Sequence, residues 1–427
     1  MSLQTAPRGL VASPVVPPDS PGPDSPGPDS SGPDSPGDTT VIPAAAAARP
    51  EPGNAPPPRA KHRDLRLDFF RGLALVFIFI DHIPDNVVSH FTLHNIAFCD
   101  AAEMFIFISG YTAALAYAPV FQREGVAMGI ARIYRRVWQL YVAHLLLFMV
   151  FSAEVAYTVR VHYNPLFADE LAEADYLSGQ GETFIRVLLL QFQPSLLNIL
   201  PLYIVLLLGL PWLLLLMRRH VLVGLIPSAI LWGLATLLHW NMPGYPAGRL
   251  WYFNPLAWQF LFTIAIALSL SRDRIRLPRG LVLPALIFAA IAGVMSLVWA
   301  LNSIFPRIPD LFPLPGAWFD KTTLPPPRII SILALAVLVA AWVPRDARWF
   351  TSRIGWPIVL CGRNSLEVFC LTIILAVMAN FVLSLAGYSV PAQLAATLLG
   401  LAIMIGFAML LSWFRAGGKW PARPKAA

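Results

Sequence analysis

What this chain is short of is charge. Only 13% of its 427 residues are Asp, Glu, Lys or Arg, while 57% are hydrophobic and the mean hydropathy is +0.62. Soluble domains carry roughly 25% charge, so the composition excludes a water-soluble enzyme. Cysteine is scarce as well. Cys99, Cys361 and Cys370 are too few and too scattered for a disulfide framework or a cysteine-rich zinc site, and no metal is expected. The 31 basic residues exceed the 24 acidic ones by enough to leave a formal charge of +7. They fall between apolar runs rather than in a patch, so nucleic acid is not an expected partner.

The first sixty residues lack apolar surface. A Pro-Asp-Ser-Pro-Gly theme recurs from Pro18 to Asp38, followed by alanines from Ala44 to Ala48 and prolines from Pro56 to Pro58. With nothing to offset the entropy of ordering, residues 1–60 are expected to form a disordered Pro/Ala-rich cytoplasmic tail. They also lack the charged start and compact apolar core of a signal peptide.

From residue 61 to 415 long apolar runs dominate. A membrane-crossing helix needs about 20 mostly apolar residues, and about ten such runs can be drawn. They lie at 66–84, 98–118, 137–158, 196–217, 221–239, 254–271, 280–301, 328–343, 358–386 and 392–414. Pro201 and Pro211 in the fourth are tolerable where neighbouring helices satisfy the freed carbonyls. Basic residues in short loops mark the cytoplasmic side, and here they alternate. Arg59, Lys61, Arg63 and Arg66 precede the first run, Arg132, Arg135 and Arg136 follow the second, and Arg272, Arg274, Arg276 and Arg279 follow the sixth. Asp85 to Ala97 has neither Lys nor Arg. The expectation is an all-α polytopic membrane protein with about ten spans and both termini cytoplasmic, ending in a basic cytoplasmic tail at 416–427.

A charge at the bilayer centre costs about 2.5–3.5 kcal/mol on insertion scales, so titratable residues inside spans are informative. They cluster in four runs: Asp68, Arg71, Asp81 and His82 in the first; Asp100 and Glu103 in the second; His144 and Glu154 in the third; Arg363 and Glu367 in the ninth. A shared polar cavity explains that clustering better than scattered ion pairs. Arg71 and His82 are eleven residues apart, which returns them to nearly one helix face about 16 Å apart along the axis. Asp81 points elsewhere and is a neighbour of His82 rather than its automatic partner. Arg71 has a simpler alternative as the ion-pair partner of Asp68, and Arg363 and Glu367 are spaced to neutralise one another. Glu103 either orients His82 or ties the second helix to the first. Cys99 and Asp100 read best as a hydrated helix end, and Gly110 would allow close helix approach.

These motifs resemble a known family. Asp68-Phe69-Phe70-Arg71-Gly72-Leu73-Ala74 followed by His82, and Glu103-Met104-Phe105-Ile106-Phe107-Ile108-Ser109-Gly110-Tyr111, are similar to the first two helices of the membrane-bound acyltransferase-3 superfamily. Asp81-His82-Ile83-Pro84, Asp100-Ala101-Ala102-Glu103, Gln139-Leu140-Tyr141-Val142-Ala143-His144 and Gly362-Arg363-Asn364-Ser365-Leu366 resemble its OpgC branch, named for succinylation of osmoregulated periplasmic glucans. The resemblance implies an inner-membrane enzyme moving an acyl group, succinyl among the candidates, from acyl-coenzyme A to a sugar hydroxyl of a cell-envelope glycan. It makes His82 the base, with Arg71 and Glu103 as the other catalytic residues and Asp68, Asp81, His144, Arg363, Asn364 and Ser365 in support.

The residue types permit that chemistry. A hydroxyl attacking a thioester needs a base that titrates near neutrality, the range of His, and the developing oxyanion needs fixed donors, for which Arg71, Asn364 and Ser365 qualify by type. Arg132, Arg135 and Arg136 would suit coenzyme A phosphates, although membrane topology alone also explains them. A distal acyl carboxylate would want Arg186, Arg249, Arg328 or Arg363. The competing reading is a transporter with buried ionisable groups. Against it, the charged runs are the first, second, third and ninth, which is not the symmetric set of an internal repeat.

Overall fold

The computed structural model describes residues 64–161, 180–274, 278–304, 316–318 and 320–420. The proposed tail at 1–60 lies outside the described residues, as do Arg276 and the last seven residues of the basic end. Among the described residues the chain is helical throughout, with one isolated bridge between Pro243 and Leu250.

The helices are α1 (Leu65–Asp81), α2 (Ala101–Arg123), α3 (Val126–Val161), α4 (Gln180–Leu188), α5 (Ile199–Leu216), α6 (Leu222–Leu237), α7 (Pro255–Ser271), α8 (Val282–Ile304), α9 (Pro326–Trp342), α10 (Gly355–Arg363), α11 (Ser365–Leu385) and α12 (Val390–Arg415). Each apolar run of the sequence coincides with helix, and among the described residues six segments are long and apolar enough to cross a membrane. The helices α6, α7 and α9 are apolar but have only 16 or 17 residues, and α1 carries Arg66, Asp68 and Arg71 within its 17. The outer faces are apolar too: Leu398 and Leu399 of α12 and Leu283 of α8 are each more than 60% exposed. A surface of that kind suits lipid rather than water.

One predicted span is divided. The run at 358–386 breaks at Asn364, whose φ and ψ of −107° and 37° leave the helical region. Its amide donates to Leu360 O at 2.9 Å, to Ala408 O at 3.3 Å and to Ser412 Oγ at 2.8 Å. A side chain that competes for backbone carbonyls ends a helix, and this one also ties the break to α12. The amphipathic α4 and the extension of α3 back to Val126 were not foreseen either.

The centre of the bundle is α1, packed against α2, α10 and α11. It approaches α10 so closely that a Cβ on Gly72 would stand 1.9 Å from Ile358 O, and one on Gly362 would stand 1.8 Å from Asp68 O. Gly110 plays the part the sequence suggests on the other side, since a Cβ there would lie 2.7 Å from Phe262 O of α7. Around these contacts Leu75, Phe79, Ile106, Trp258, Phe262 and Phe369 are fully buried. The result places the end of α1 and the start of α2 beside α5 and α11.

Candidate active site

Helix α1 ends at Asp81, and His82 caps it by donating its backbone N–H to Ile78 O at 3.1 Å. The chain then turns through Pro84 and Asp85, the latter at φ 53°. Asn86 holds the turn, its amide donating to Ile80 O at 3.3 Å and to Thr397 Oγ1 at 3.1 Å while its carbonyl caps Val88 N. The following loop returns to the helix end, where Thr92 Oγ1 donates to Asp81 Oδ1 at 2.6 Å.

Helix α2 opens with a reciprocal cap. The Asp100 carboxylate accepts from Ala102 N at 2.8 Å, and Glu103 Oε2 accepts from Asp100 N at 2.9 Å, the arrangement that a D-x-x-E spacing favours. Both acids are buried. Their free oxygens meet cations from far along the chain: Asp100 Oδ2 lies 2.5 Å from Lys321 Nζ and 3.2 Å from Arg328, and Glu103 Oε1 lies 2.5 Å from Arg328 Nε. Asp100 is therefore no hydrated helix end. Glu103 is turned to Arg328 on α9, so it links α2 to α9 rather than α2 to α1, and it is not set against His82.

Lys321 is placed by its own short segment. Asp320 accepts from Thr322 N, Thr323 N and Thr323 Oγ1, Trp258 Nε1 donates to Lys321 O at 2.7 Å, and Trp232 Nε1 donates to Thr323 O and Leu324 O at 3.2 Å. Burial opposes the Lys321 charge, but Asp100 outweighs it and holds the ammonium above its ordinary pKa. Lys321 stays cationic at neutral pH.

A cavity of about 450 Å³ brings together Asp81, His82, Asp100 and Lys321. Asn198 at the head of α5, Asn380 of α11 and the aromatic pair Tyr252 and Phe253 complete its polar and flat surfaces. A chamber of that size with few convergent polar groups is what a small-molecule site looks like.

The other predicted residues lie elsewhere. Arg71 donates to Thr112 Oγ1 and to Ile108 O. Asp68 accepts from Arg363 Nε at 3.3 Å, and the Arg363 guanidinium also sits 4.8 Å over the Trp356 ring. The expected Arg363–Glu367 pair does not form, because the break at Asn364 destroys the helical spacing; Glu367 and Asn364 both take Arg415 instead. Ser365 begins α11 beside that break. His144 is fully buried in α3 with neither ring nitrogen bonded, and it does not line the cavity. Arg132 pairs with Glu124 at 2.5 Å on the surface, Arg136 reaches Gln139 at 3.3 Å, and Arg135 is exposed. Among the arginines proposed for a distal carboxylate, Arg328 is committed to Asp100 and Glu103, Arg363 to Asp68, and Arg186 to Glu182 and Gln191.

Residues 63–416 match the OpgC protein family. The chain belongs to that family. OpgC membership points to a membrane enzyme that modifies glucans. No curated protein and no solved structure matches the chain. Sequence reasoning missed Lys321, Asn198, Asn380 and Tyr252 in this OpgC chain. Lys321 carried a signal, being the only lysine between Lys61 and Lys419.

Proposed function

We propose that the protein is an inner-membrane O-acyltransferase that transfers an acyl group, succinyl among the candidates, from acyl-coenzyme A to a hydroxyl of a periplasmic or cell-envelope glycan, with His82 as the general base. The observation that carries this reading is the cavity at the end of α1, which His82 lines together with Asp81, Asp100 and Lys321 in a chain of the OpgC family. In the proposed reaction His82 takes the proton of the attacking sugar hydroxyl as its oxygen adds to the thioester carbonyl. Collapse of the adduct forms the ester, breaks the carbon–sulfur bond and returns that proton to the departing thiolate. Lys321, paired with Asp100, is the cationic side chain lining the same cavity, while Asp81, held by Thr92, fixes the end of α1 that carries His82.

Arg71, Arg363, Asn364 and Ser365 belong in this reading to the donor side, about 16 Å along α1 from His82, where the basic loops of a ten-span protein with both termini cytoplasmic would meet coenzyme A. Reporter fusions in the 159–195 loop and at the C-terminus test that topology, and a periplasmic C-terminus would remove His82 from the outer half. The activity is tested with purified protein, acyl-coenzyme A and glucan oligosaccharides. Ester formation with equal release of free coenzyme A is expected. Solute movement across proteoliposomes without any consumption of acyl-coenzyme A would overturn the reading in favour of a transporter.

A further inference from the structure

The cavity contains two buried asparagines whose amides are each half used. Tyr388 OH donates to Asn380 Oδ1 at 2.6 Å, which fixes the Asn380 amide and leaves its Nδ2 hydrogens open to the cavity. Asn198 Nδ2 donates to Ser195 O at 3.0 Å, which leaves Asn198 Oδ1 open in the same way. One amide thus presents donors and the other an acceptor, from α11 and α5. A hydroxyl group both donates and accepts, so this pairing suits it. Tyr252 and Phe253, edge to face at 4.9 Å, add aromatic surface for the C–H face of a pyranose ring.

Charge points the same way. Lys321 and Arg328 balance Asp100 and Glu103 within one cluster, and Asp81 adds no cation. The chamber therefore has no surplus positive charge with which to hold a carboxylate or phosphate. We propose that Asn198 and Asn380 form an acceptor subsite for a neutral polyhydroxylated chain, a glucan, beside His82, and that the phosphates of an acyl-coenzyme A donor bind outside this chamber. The proposal rests on the acyl-transfer reading for its place in the reaction but not for the binding itself.

Tyr388 acts in it as a positioning residue. It reaches Asn380 from the α11–α12 turn, where Gln393 Nε2 donates to Tyr388 O at 2.7 Å and Gln393 Oε1 accepts from Val87 N at 2.9 Å. The rim beyond α11 is thereby tied to the loop that follows His82.

Two measurements test the subsite. In steady-state assays, Asn380→Asp, which removes the open donor, and Asn198→Leu, which removes the open acceptor at similar volume, are expected to raise the KM for glucan oligosaccharides about three- to ten-fold, as befits one lost hydrogen bond each, with the KM for acyl-coenzyme A unchanged. Tyr388→Phe should raise the same KM by less and add nothing on top of Asn380→Ala. An unchanged acceptor KM in the Asn variants, with only kcat or protein yield reduced, would overturn the assignment. Occupancy is read without catalysis by introducing Ala102→Cys on the cavity wall and following its maleimide labelling in detergent. A neutral glucan oligosaccharide should slow labelling several-fold and succinate should not. Protection by succinate, or none by the oligosaccharide, would overturn the subsite. Protection by the oligosaccharide in a protein that never consumes acyl-coenzyme A would instead sink the transferase reading and leave the subsite standing.

Discussion

The two ends of α1 hold comparable numbers of charged groups and use them differently. At the His82 end the ions are dry: Asp100, Glu103 and Arg328 are each 3% exposed or less, and Asp100 lines the cavity. At the Arg71 end the ions join helices: Arg363 to Asp68, Arg415 to Glu367 and to Asn364. None of these residues lines the cavity. The difference teaches that buried charge in a membrane protein does not by itself mark a site. What separates the two ends is that the paired ions of one, Asp100 and Lys321, line the cavity beside His82.

The largest effect that would sharpen this contrast is His82→Ala. Loss of a positioned base is expected to cut acyl transfer about 10²- to 10⁴-fold while the thermal midpoint in detergent stays near wild type. A fall in stability that matches the fall in rate would instead make His82 a packing residue.

The ion cluster beside it should respond in the opposite manner. Arg328→Met strands Asp100 and Glu103 in the interior, and breaking a buried pair costs about 3–5 kcal/mol. The expected outcome is a strongly lowered thermal midpoint. Adding Glu103→Met should restore much of that loss, because a well-packed apolar pair replaces the ions at little cost. If the double variant is as unstable as the single one, the cluster has another role than charge balance.

At the far end the contact is steric. Gly362→Ala places a Cβ 1.8 Å from Asp68 O, where backbone and not a flexible side chain must move. Overpacking of this kind costs about 1–3 kcal/mol, and the melting temperature should drop with acyl transfer per folded molecule less affected than in His82→Ala. Equal loss of specific activity in both variants would mean that the two ends work as one site.

Much of this arrangement is legible without coordinates. The apolar runs coincide with helices because a period of burial and lipid contact sets both, and Gly110 announces its close contact because only a missing Cβ allows it. Asn364 hides its break, since one polar residue in an apolar run gives no sign that its amide will take Leu360 O and Ser412 Oγ from two helices. Asp100 and Glu103 show their reciprocal cap in sequence but not their burial. That depends on Lys321 and Arg328, more than two hundred residues later, which no local pattern connects to them. Asn198 and Asn380 are unreadable for the same reason, as each acquires meaning only through the cavity they share.

The smallest expected effect lies on the surface that follows α2. Arg132 is half exposed and already paired with Glu124, and such pairs contribute about 0.2–1 kcal/mol, so Arg132→Ala should leave the thermal midpoint unchanged within error. If coenzyme A phosphates approach from this side, Arg132, Arg135 and Arg136 act on them through solvent. The combined Arg132→Ala and Arg135→Ala variant should then raise the donor KM by no more than about three-fold at low salt. That rise should vanish as ionic strength increases and the screening length shrinks to about 3 Å at 1 M. Because the acceptor cavity has no part in that attraction, the KM for the oligosaccharide must not move with either charge or salt. A donor KM independent of salt in the wild type would confine the role of these arginines to orienting the chain in the membrane, and the donor's phosphates would then have to be sought nearer Arg71.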